Sequence, residues 1–171
     1  LCAGVDGQDC LTSAQVEAAR KMYGPVIKTS TQELIFPGFE PGSELGWGFT
    51  AGAEPPQLTV DSLRNTVFHS QSWNYTDFNF DRDVALLDRE TRIMNAMDPN
   101  LKPFFSHGGK LLQYHGWSDN LIPPQNSVNY YMSVLDKMGG VSKVTDSFRL
   151  FMVPGMSHCR GGEGTDRFDV I

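Results

Sequence analysis

Two apolar segments, each ending in a turn with a polar tip, constrain the fold more than any other feature of this sequence. Residues 110–115 lead into a Gly-Trp-Ser turn that ends at Asp119. Residues 147–153 lead into a Pro-Gly-Met-Ser turn that ends at His158. Between them, residues 125–138 carry apolar side chains on one helical face and stop at a Gly-Gly pair. The order strand, turn, helix, strand, turn is typical of an α/β sheet with parallel strands.

The first hundred residues have a different texture. Glycine and proline recur every few residues between 28 and 57, and aromatic side chains lie among them. A solvated linker does not carry so many aromatic residues, so this stretch is expected to pack against something. Helical periodicity predicts three helices here, over residues 11–23, 59–69 and 84–97. We therefore divide the chain into a loop-rich insertion at residues 1–100 and an α/β core at residues 101–171.

Charge and hydropathy argue against two classes of partner. The chain has 14 Lys and Arg residues against 20 Asp and Glu residues, a net charge of −6. Nucleic acid is bound by basic surfaces, so this acidic balance predicts no nucleic-acid partner. No stretch approaches the roughly 18 consecutive apolar residues of a membrane span, so no membrane partner is expected either.

Asp119 and His158 are the candidate catalytic residues. The turns that follow parallel strands lie at the same edge of a sheet, and functional side chains gather there. In an α/β-hydrolase the order along the chain is serine, then acid, then histidine, and the acid holds the imidazole that takes the serine proton. Asp119 precedes His158 with one predicted helix and one predicted strand between them, as that order requires. The spacing alone equally allows an Asp119 that caps the next helix and a His158 that is satisfied in its loop.

The three cysteines suggest one local bridge. Cys2 and Cys10 enclose a short polar loop rich in turn formers, which suits a disulfide, although two free thiols are the alternative. Cys159 is then left over beside His158, so it either pairs outside this chain or is a reactive thiol.

Long motifs around both turns resemble the tannase/feruloyl esterase family. They read Gly-Gly-Lys-Leu-Leu-Gln-Tyr-His-Gly-Trp-Ser-Asp at 108–119, Leu-Ile-Pro-Pro at 121–124 and Phe-Met-Val-Pro-Gly-Met-Ser-His-Cys at 151–159. The match is close across residues 98–164 and looser towards the N-terminus. The resemblance implies an α/β protein made of the C-terminal part of an α/β-hydrolase core and the back half of a mixed, loop-rich lid insertion.

The resemblance also implies roles for individual residues. Asp119 matches the family's catalytic acid and His158 its catalytic base. Cys159 matches a cysteine that is bonded to the cysteine immediately before the nucleophilic serine. Cys2 and Cys10 match a small disulfide of the lid.

Family members are secreted or periplasmic enzymes that cleave small aromatic esters. Hydroxycinnamoyl (feruloyl) and galloyl esters are the implied substrates, and a terephthalate monoester is a possibility within the same family. Trp47, Ile122 and His115 are candidates for substrate contact, with packing in the core as the alternative. Phe78 is a further aromatic candidate for which core packing is favoured. Glu44 is a candidate brace of the lid through a buried hydrogen bond.

The nucleophile has no candidate in this sequence. The family's serine lies in a Cys-Ser-x-Gly-Gly type of turn, which is missing here, and neither Ser118 nor Ser157 has the glycine spacing of a nucleophile elbow. We therefore expect the remainder of the same protein to supply the serine and the partner of Cys159. The alternative is a non-catalytic fragment or inactive relative with a binding role.

No catalytic cofactor is expected and no residue of this chain is assigned to a metal. The resemblance implies a structural calcium ion in the intact protein, with ligands mostly outside this chain. Residues 6–9 superficially resemble a calcium loop, but the segment is too short for an EF-hand.

Overall fold

The N-terminal part of the chain consists of short helices joined by long loops. The structure, a computed structural model, describes residues 1–3 and 7–169. The elements of this part are α1 (Ser13–Tyr23), β1 (Val26–Ile27), β2 (Leu34–Phe36), α2 (Trp47–Thr50), α3 (Gln57–Thr66) and α4 (Phe80–Thr91). β1 and β2 form an antiparallel pair. The three helices predicted from periodicity are confirmed as α1, α3 and α4.

Side-chain caps set where two of these helices begin. The hydroxyl of Thr12 accepts the Gln15 N–H and the Gln15 side chain accepts the Thr12 N–H, a capping box that starts α1. The side chain of Asn79 accepts the Arg82 N–H at 3.0 Å, so α4 starts four residues before the predicted position 84. The predicted C-terminal end of this helix at residue 97 was wrong, because α4 ends at Thr91.

Aromatic side chains supply much of the packing in this part. The rings of Phe68 and Trp73 stack with centroids 4.3 Å apart, and Phe78 meets both edge-on. Phe78 therefore packs among aromatic residues, as the core-packing alternative predicts. The ring of Trp47 lies edge-on to Tyr23, with centroids 5.0 Å apart. The expectation that this segment is packed rather than solvated is met by these contacts.

Glu44 does tie two elements together, but at the surface. Its carboxylate accepts hydrogen bonds from the Tyr23 hydroxyl of α1 and from the Gly42 N–H. The hydrogen bond to Glu44 raises the pKa of Tyr23 to about 12. The predicted brace is present, but the prediction that its hydrogen bond is buried was wrong, because Glu44 is exposed.

The C-terminal part contains a parallel strand pair with helices between its strands. Its elements are α5 (Lys102–Ser106), β3 (Leu111–Gly116), α6 (Gln125–Met138), α7 (Val141–Val144) and β4 (Phe148–Val153). β3 and β4 are parallel, in register from Leu111 opposite Phe148 to Gly116 opposite Val153. Parallel neighbours require such a crossover, so the predicted strand, helix, strand order is confirmed.

A small apolar core holds the crossover on the strands. Val134 and Leu135 of α6, Val144 of α7 and Phe148 of β4 are buried together. Tyr131 of α6 meets Phe148 edge-on, with ring centroids 5.0 Å apart. Side chains on the opposite face of the two strands remain about half exposed, among them Leu112, Tyr114 and Phe151. One face of the pair is thus covered by helices, whereas the other is covered only in part, by Phe168, whose ring meets Tyr114 edge-on with centroids 5.2 Å apart.

Two valines of α7 test this core directly. Val144 is fully buried, whereas Val141, three residues earlier in the same helix, is 56% exposed. Val144→Ala is expected to destabilise the intact protein by about 2 kcal/mol, because it leaves a cavity beside Phe148. Val141→Ala is the matched control and should cost less than about 0.5 kcal/mol. Thermal unfolding of both variants measures the difference, and equal losses of stability would contradict this description of the core.

Candidate active site

The turns after β3 and β4 are bonded directly to each other. The N–H of Trp117 donates to the carbonyl oxygen of Val153 at 2.9 Å, and the N–H of Ser118 donates to that of Met156 at 3.0 Å. Gly116 ends β3, and a Cβ atom there would lie 2.0 Å from the Met156 carbonyl oxygen. Only glycine allows this close approach of the two backbones. The contact fixes the relative position of the two turns that carry Asp119 and His158.

The two predicted catalytic residues meet at this junction. Nδ1 of His158 lies 2.9 Å from Oδ2 of Asp119. The Asp119 residue is 2% exposed, whereas 42% of the His158 side chain is exposed. Within the described part of the chain, Nε2 of His158 has no hydrogen-bond partner. This is the arrangement of an acid and a base in a serine hydrolase, with Nδ1–H held by the carboxylate and Nε2 left to take a proton.

The Asp119 carboxylate receives three further hydrogen bonds. Oδ1 accepts the N–H groups of Leu121 at 2.8 Å and Ile122 at 3.0 Å. Oδ2 also accepts a hydrogen bond from a second imidazole, that of His115, whose Nε2 lies 2.9 Å away. Burial acts to raise the pKa of Asp119, but the hydrogen bonds of His115, the two N–H groups and His158 outweigh it and hold that pKa well below its ordinary value. Asp119 is therefore a buried carboxylate that stays ionised.

His115 belongs to a partly buried hydrogen-bond network that the sequence predicted only in part. Its Nδ1 lies 2.7 Å from the hydroxyl of Ser127, in the first turn of α6. The Gln113 side-chain amide donates to the same hydroxyl at 2.9 Å. Ser127 and Gln113 were not candidates in the sequence. One signal was available, because Gln113 and His115 alternate along β3 and so share the face that α6 covers.

The three candidates for substrate contact lie in different places. Ile122 is 44% exposed and lines an open cavity of about 580 Å³. Trp47 is not among the described residues that line this cavity; it packs against Tyr23 and donates to the Ser43 hydroxyl at 3.0 Å. Both ring nitrogens of His115 are engaged within the chain, and 13% of its side chain is exposed. Ile122, whose N–H group bonds Asp119, is thus the candidate that lines this cavity, whereas neither Asp119 nor His158 is among the described residues that line it.

The cysteines divide as the sequence suggests. Cys2 and Cys10 form a disulfide with Cα atoms 5.0 Å apart, which confirms the predicted bridge. Cys159 has a free, exposed thiol. Its backbone is left-handed, with φ of 63°. The predicted bond of Cys159 to another part of the protein stays a prediction.

The described residues contain neither a candidate metal-binding cluster nor a membrane-spanning helix. Residues 1–3 and 7–169 contain no group of three or more His, Cys, Asp and Glu side chains that could hold a metal ion. Asp6, the first residue of the short acidic loop considered for calcium, lies outside the described residues. No helix in the described ranges is long and apolar enough to cross a membrane.

Comparison with known proteins identifies the family. A sequence model described as tannase and feruloyl esterase matches residues 1–171. This chain belongs to the tannase and feruloyl esterase family. The predicted membership is therefore confirmed.

Named relatives of the tannase and feruloyl esterase family agree with this result. The probable feruloyl esterase B-2 of Aspergillus terreus is 34% identical over 163 residues, which cover 94% of this chain and 31% of that protein. An esterase of Xanthomonas campestris, named as uncharacterized, is 32% identical over an alignment of 202 residues that covers 100% of this chain and 35% of that protein. The crystal structure of feruloyl esterase B from Aspergillus oryzae has a TM-score of 0.84 at 28% identity and covers 96% of this chain and 33% of that one.

The match covers only a minor part of each relative. This chain spans about a third of the length of the proteins that it matches. The similarity therefore extends over nearly all of this chain and over a minor part of each relative.

Proposed function

We propose that this chain is part of a serine carboxylic-ester hydrolase in which Asp119 and His158 are two members of a Ser-His-Asp triad. The observation that carries the proposal is the 2.9 Å contact of His158 Nδ1 with a buried, ionised Asp119. The His158 side chain is 42% exposed, and its Nε2 has no hydrogen-bond partner among the described residues. Family membership and the names of the relatives support ester hydrolysis as the reaction.

In the proposed reaction the chain supplies the proton relay. Nε2 of His158 removes the hydroxyl proton of a serine from the remainder of the same protein as the serine oxygen attacks the ester carbonyl. His158 then gives this proton to the departing alcohol, which leaves an acyl-serine. Water attacks the acyl-serine with His158 again as base, and the free acid leaves. Asp119 keeps Nδ1 protonated and stabilises the imidazolium at both stages.

The proposed architecture explains why the sheet has two strands. We assign residues 101–171 to the C-terminal part of an α/β-hydrolase core, and residues 1–100 to part of a lid. Parallel sheets are normally covered on both faces, and two strands alone make an unstable sheet. The half-exposed Leu112, Tyr114 and Phe151 on the face opposite α6 are consistent with further core elements packing there in the intact protein.

The proposed substrates are small esters of aromatic acids, feruloyl or galloyl. The names of the relatives point to this class. The cavity beside Ile122 is lined by apolar residues of β2 and α4, including Phe36 and Leu87, which suits an aromatic acyl group. Charged residues at the same cavity, among them Lys28 and Asp88, would meet polar substituents of the ring.

Two further features of the intact protein belong to this proposal. We infer that it is secreted or periplasmic, because the Cys2–Cys10 disulfide is typical of an oxidising compartment. We also infer a structural calcium ion with ligands mostly outside this chain, as the family resemblance implies. Removal of calcium by a chelator is then expected to destabilise the lid and to leave the contact between Asp119 and His158 unchanged.

Cys159 is expected to be disulfide-bonded in the intact, oxidised protein. The bond would join the histidine turn to a cysteine beside the nucleophilic serine, and so fix the distance over which the proton moves. Peptide mapping under non-reducing conditions identifies the partner. Recovery of Cys159 as a free thiol from protein whose Cys2–Cys10 bridge is intact would contradict the predicted disulfide.

Hydrolysis of model esters tests the proposed function. The intact protein is expected to cleave methyl ferulate or methyl gallate with saturation kinetics, and to cleave methyl hexanoate, which has no aromatic ring, far more slowly. Absence of hydrolysis of both aromatic esters by folded protein would contradict the proposal. If methyl hexanoate is cleaved as fast as the aromatic esters, the protein is an esterase without specificity for aromatic acids.

A further inference from the structure

Two imidazoles share one oxygen of the Asp119 carboxylate. Nδ1 of His158 and Nε2 of His115 each lie 2.9 Å from Oδ2, and they come from different elements. His115 lies on β3, whereas His158 lies in the loop after β4. The proton relay described above uses His158 alone and leaves His115 without a role.

The neighbours of His115 assign its tautomer. The Gln113 amide donates to the Ser127 hydroxyl, so the hydroxyl proton is free to point at Nδ1 of His115, 2.7 Å away. Nδ1 then accepts a hydrogen bond, which leaves the ring proton on Nε2 to donate to Asp119. The neutral ring thus has both nitrogens satisfied.

We propose that His115 is a positioning residue of the triad, which holds Oδ2 of Asp119 in place for His158 and takes part of the negative charge that His158 would otherwise receive. The inference rests on the proposed function, because it concerns the same relay. With both ring nitrogens engaged inside the chain, His115 has no nitrogen left for substrate. His115 therefore acts through Asp119 and not by contact with substrate, for which the sequence made it a candidate.

Geometry explains what the second imidazole adds. Two backbone N–H groups, of Leu121 and Ile122, hold Oδ1, but both belong to the turn that carries Asp119 and do not tie the carboxylate to another element. His115 is anchored to α6 through Ser127, so its hydrogen bond fixes the plane of the carboxylate against the scaffold. The other contact of Oδ2 is His158 itself, which must be free to change its charge during the reaction.

The experiment compares three variants of the intact protein with the wild type. His115→Asn is too short to reach Asp119, whereas the amide nitrogen of His115→Gln can occupy the place of Nε2. His107→Asn, at an exposed histidine outside the network, is the matched control. We expect His115→Asn to lower kcat for methyl ferulate about 10- to 100-fold, with KM within about twofold. His115→Gln should recover most of the lost kcat, and His107→Asn should match the wild type.

Two outcomes would overturn the role of His115. One is a wild-type kcat in His115→Asn. The other is a loss of kcat that His115→Gln does not repair although both variants unfold at the same temperature, since that pattern indicates a ring needed for packing only.

A second readout keeps this inference separate from the proposed function. In protein labelled with ¹⁵N-histidine, the Nδ1–H signal of His158 reports its contact with Asp119 whether or not any ester is cleaved. It should shift in His115→Asn and return towards the wild-type position in His115→Gln. An unchanged signal would overturn the inference even in an active enzyme, and a shifted signal in a protein that cleaves no ester would leave the positioning role standing while the proposed function fails.

Discussion

His158→Ala is expected to lower kcat for methyl ferulate in the intact protein by at least about 10⁴-fold. Without the imidazole no group beside Asp119 can take the serine proton, since both nitrogens of His115 are already engaged. KM should change little, because the His158 imidazole is expected to contribute to the transition state more than to ground-state binding. Steady-state kinetics on purified variant and wild type measures the loss.

His107→Ala is the matched control for this variant. His107 is also exposed, but it hydrogen-bonds the Pro103 carbonyl in α5, away from the two turns. It should keep wild-type kcat within about twofold. If His158→Ala cleaves the ester as fast as His107→Ala, His158 takes no part in the mechanism.

Asp119→Asn is expected to lower kcat about 10³- to 10⁴-fold. The carboxylate accepts four hydrogen bonds, two at each oxygen, whereas an asparagine side chain has one acceptor oxygen and an NH₂ group. The NH₂ group must then face either two backbone N–H groups or two imidazoles. When it faces the imidazoles, His158 is driven to the tautomer that carries the proton on Nε2 and cannot act as a base.

The same variant is expected to change the dependence of stability on pH. The pKa of Asp119 lies well below its ordinary value in the folded protein, so ionised Asp119 contributes stability that is fully present above about pH 4, its range in the unfolded chain. That contribution is lost as pH falls through the lower, folded pKa. The difference in unfolding free energy between wild type and Asp119→Asn should therefore shrink as pH falls below about 4.

Urea unfolding of the intact protein at several pH values measures this difference. Asp136→Asn, on the exposed side of α6, is the control and should change stability by less than about 0.5 kcal/mol at every pH. A difference for Asp119→Asn that stays constant down to pH 3 would mean that the carboxylate is not held ionised by its hydrogen bonds.

Local patterns were sufficient to predict the elements that carry the site. The apolar run at 110–115, the helical face at 125–138 and the run at 147–153 became β3, α6 and β4 nearly residue for residue. Each of these elements is specified by its own periodicity and by the turn residues at its ends. Because β3 and β4 are parallel neighbours, this local information was also enough to bring Asp119 and His158 together.

Contacts between distant segments were not predictable in the same way. Ser127 reaches His115 only because α6 packs back across β3, and no pattern within α6 marks that serine as polar and buried. Trp47 was a candidate for substrate contact, but its ring contacts Tyr23 at the end of α1 and Ser43 in the loop before Trp47. Loop-rich segments such as 28–57 have no periodicity to fix their path, so tertiary packing decides where their side chains lie.

Labelling with a fluorophosphonate tests the central claim most directly. This probe phosphonylates a serine that a neighbouring base has activated, with loss of fluoride, and mass mapping then identifies the serine. In the intact protein we predict one labelled serine, outside residues 1–171, and little labelling of that serine in His158→Ala. A labelled serine within residues 1–171, or undiminished labelling in His158→Ala, would contradict the proposal that Asp119 and His158 complete a triad with a serine from the rest of the protein.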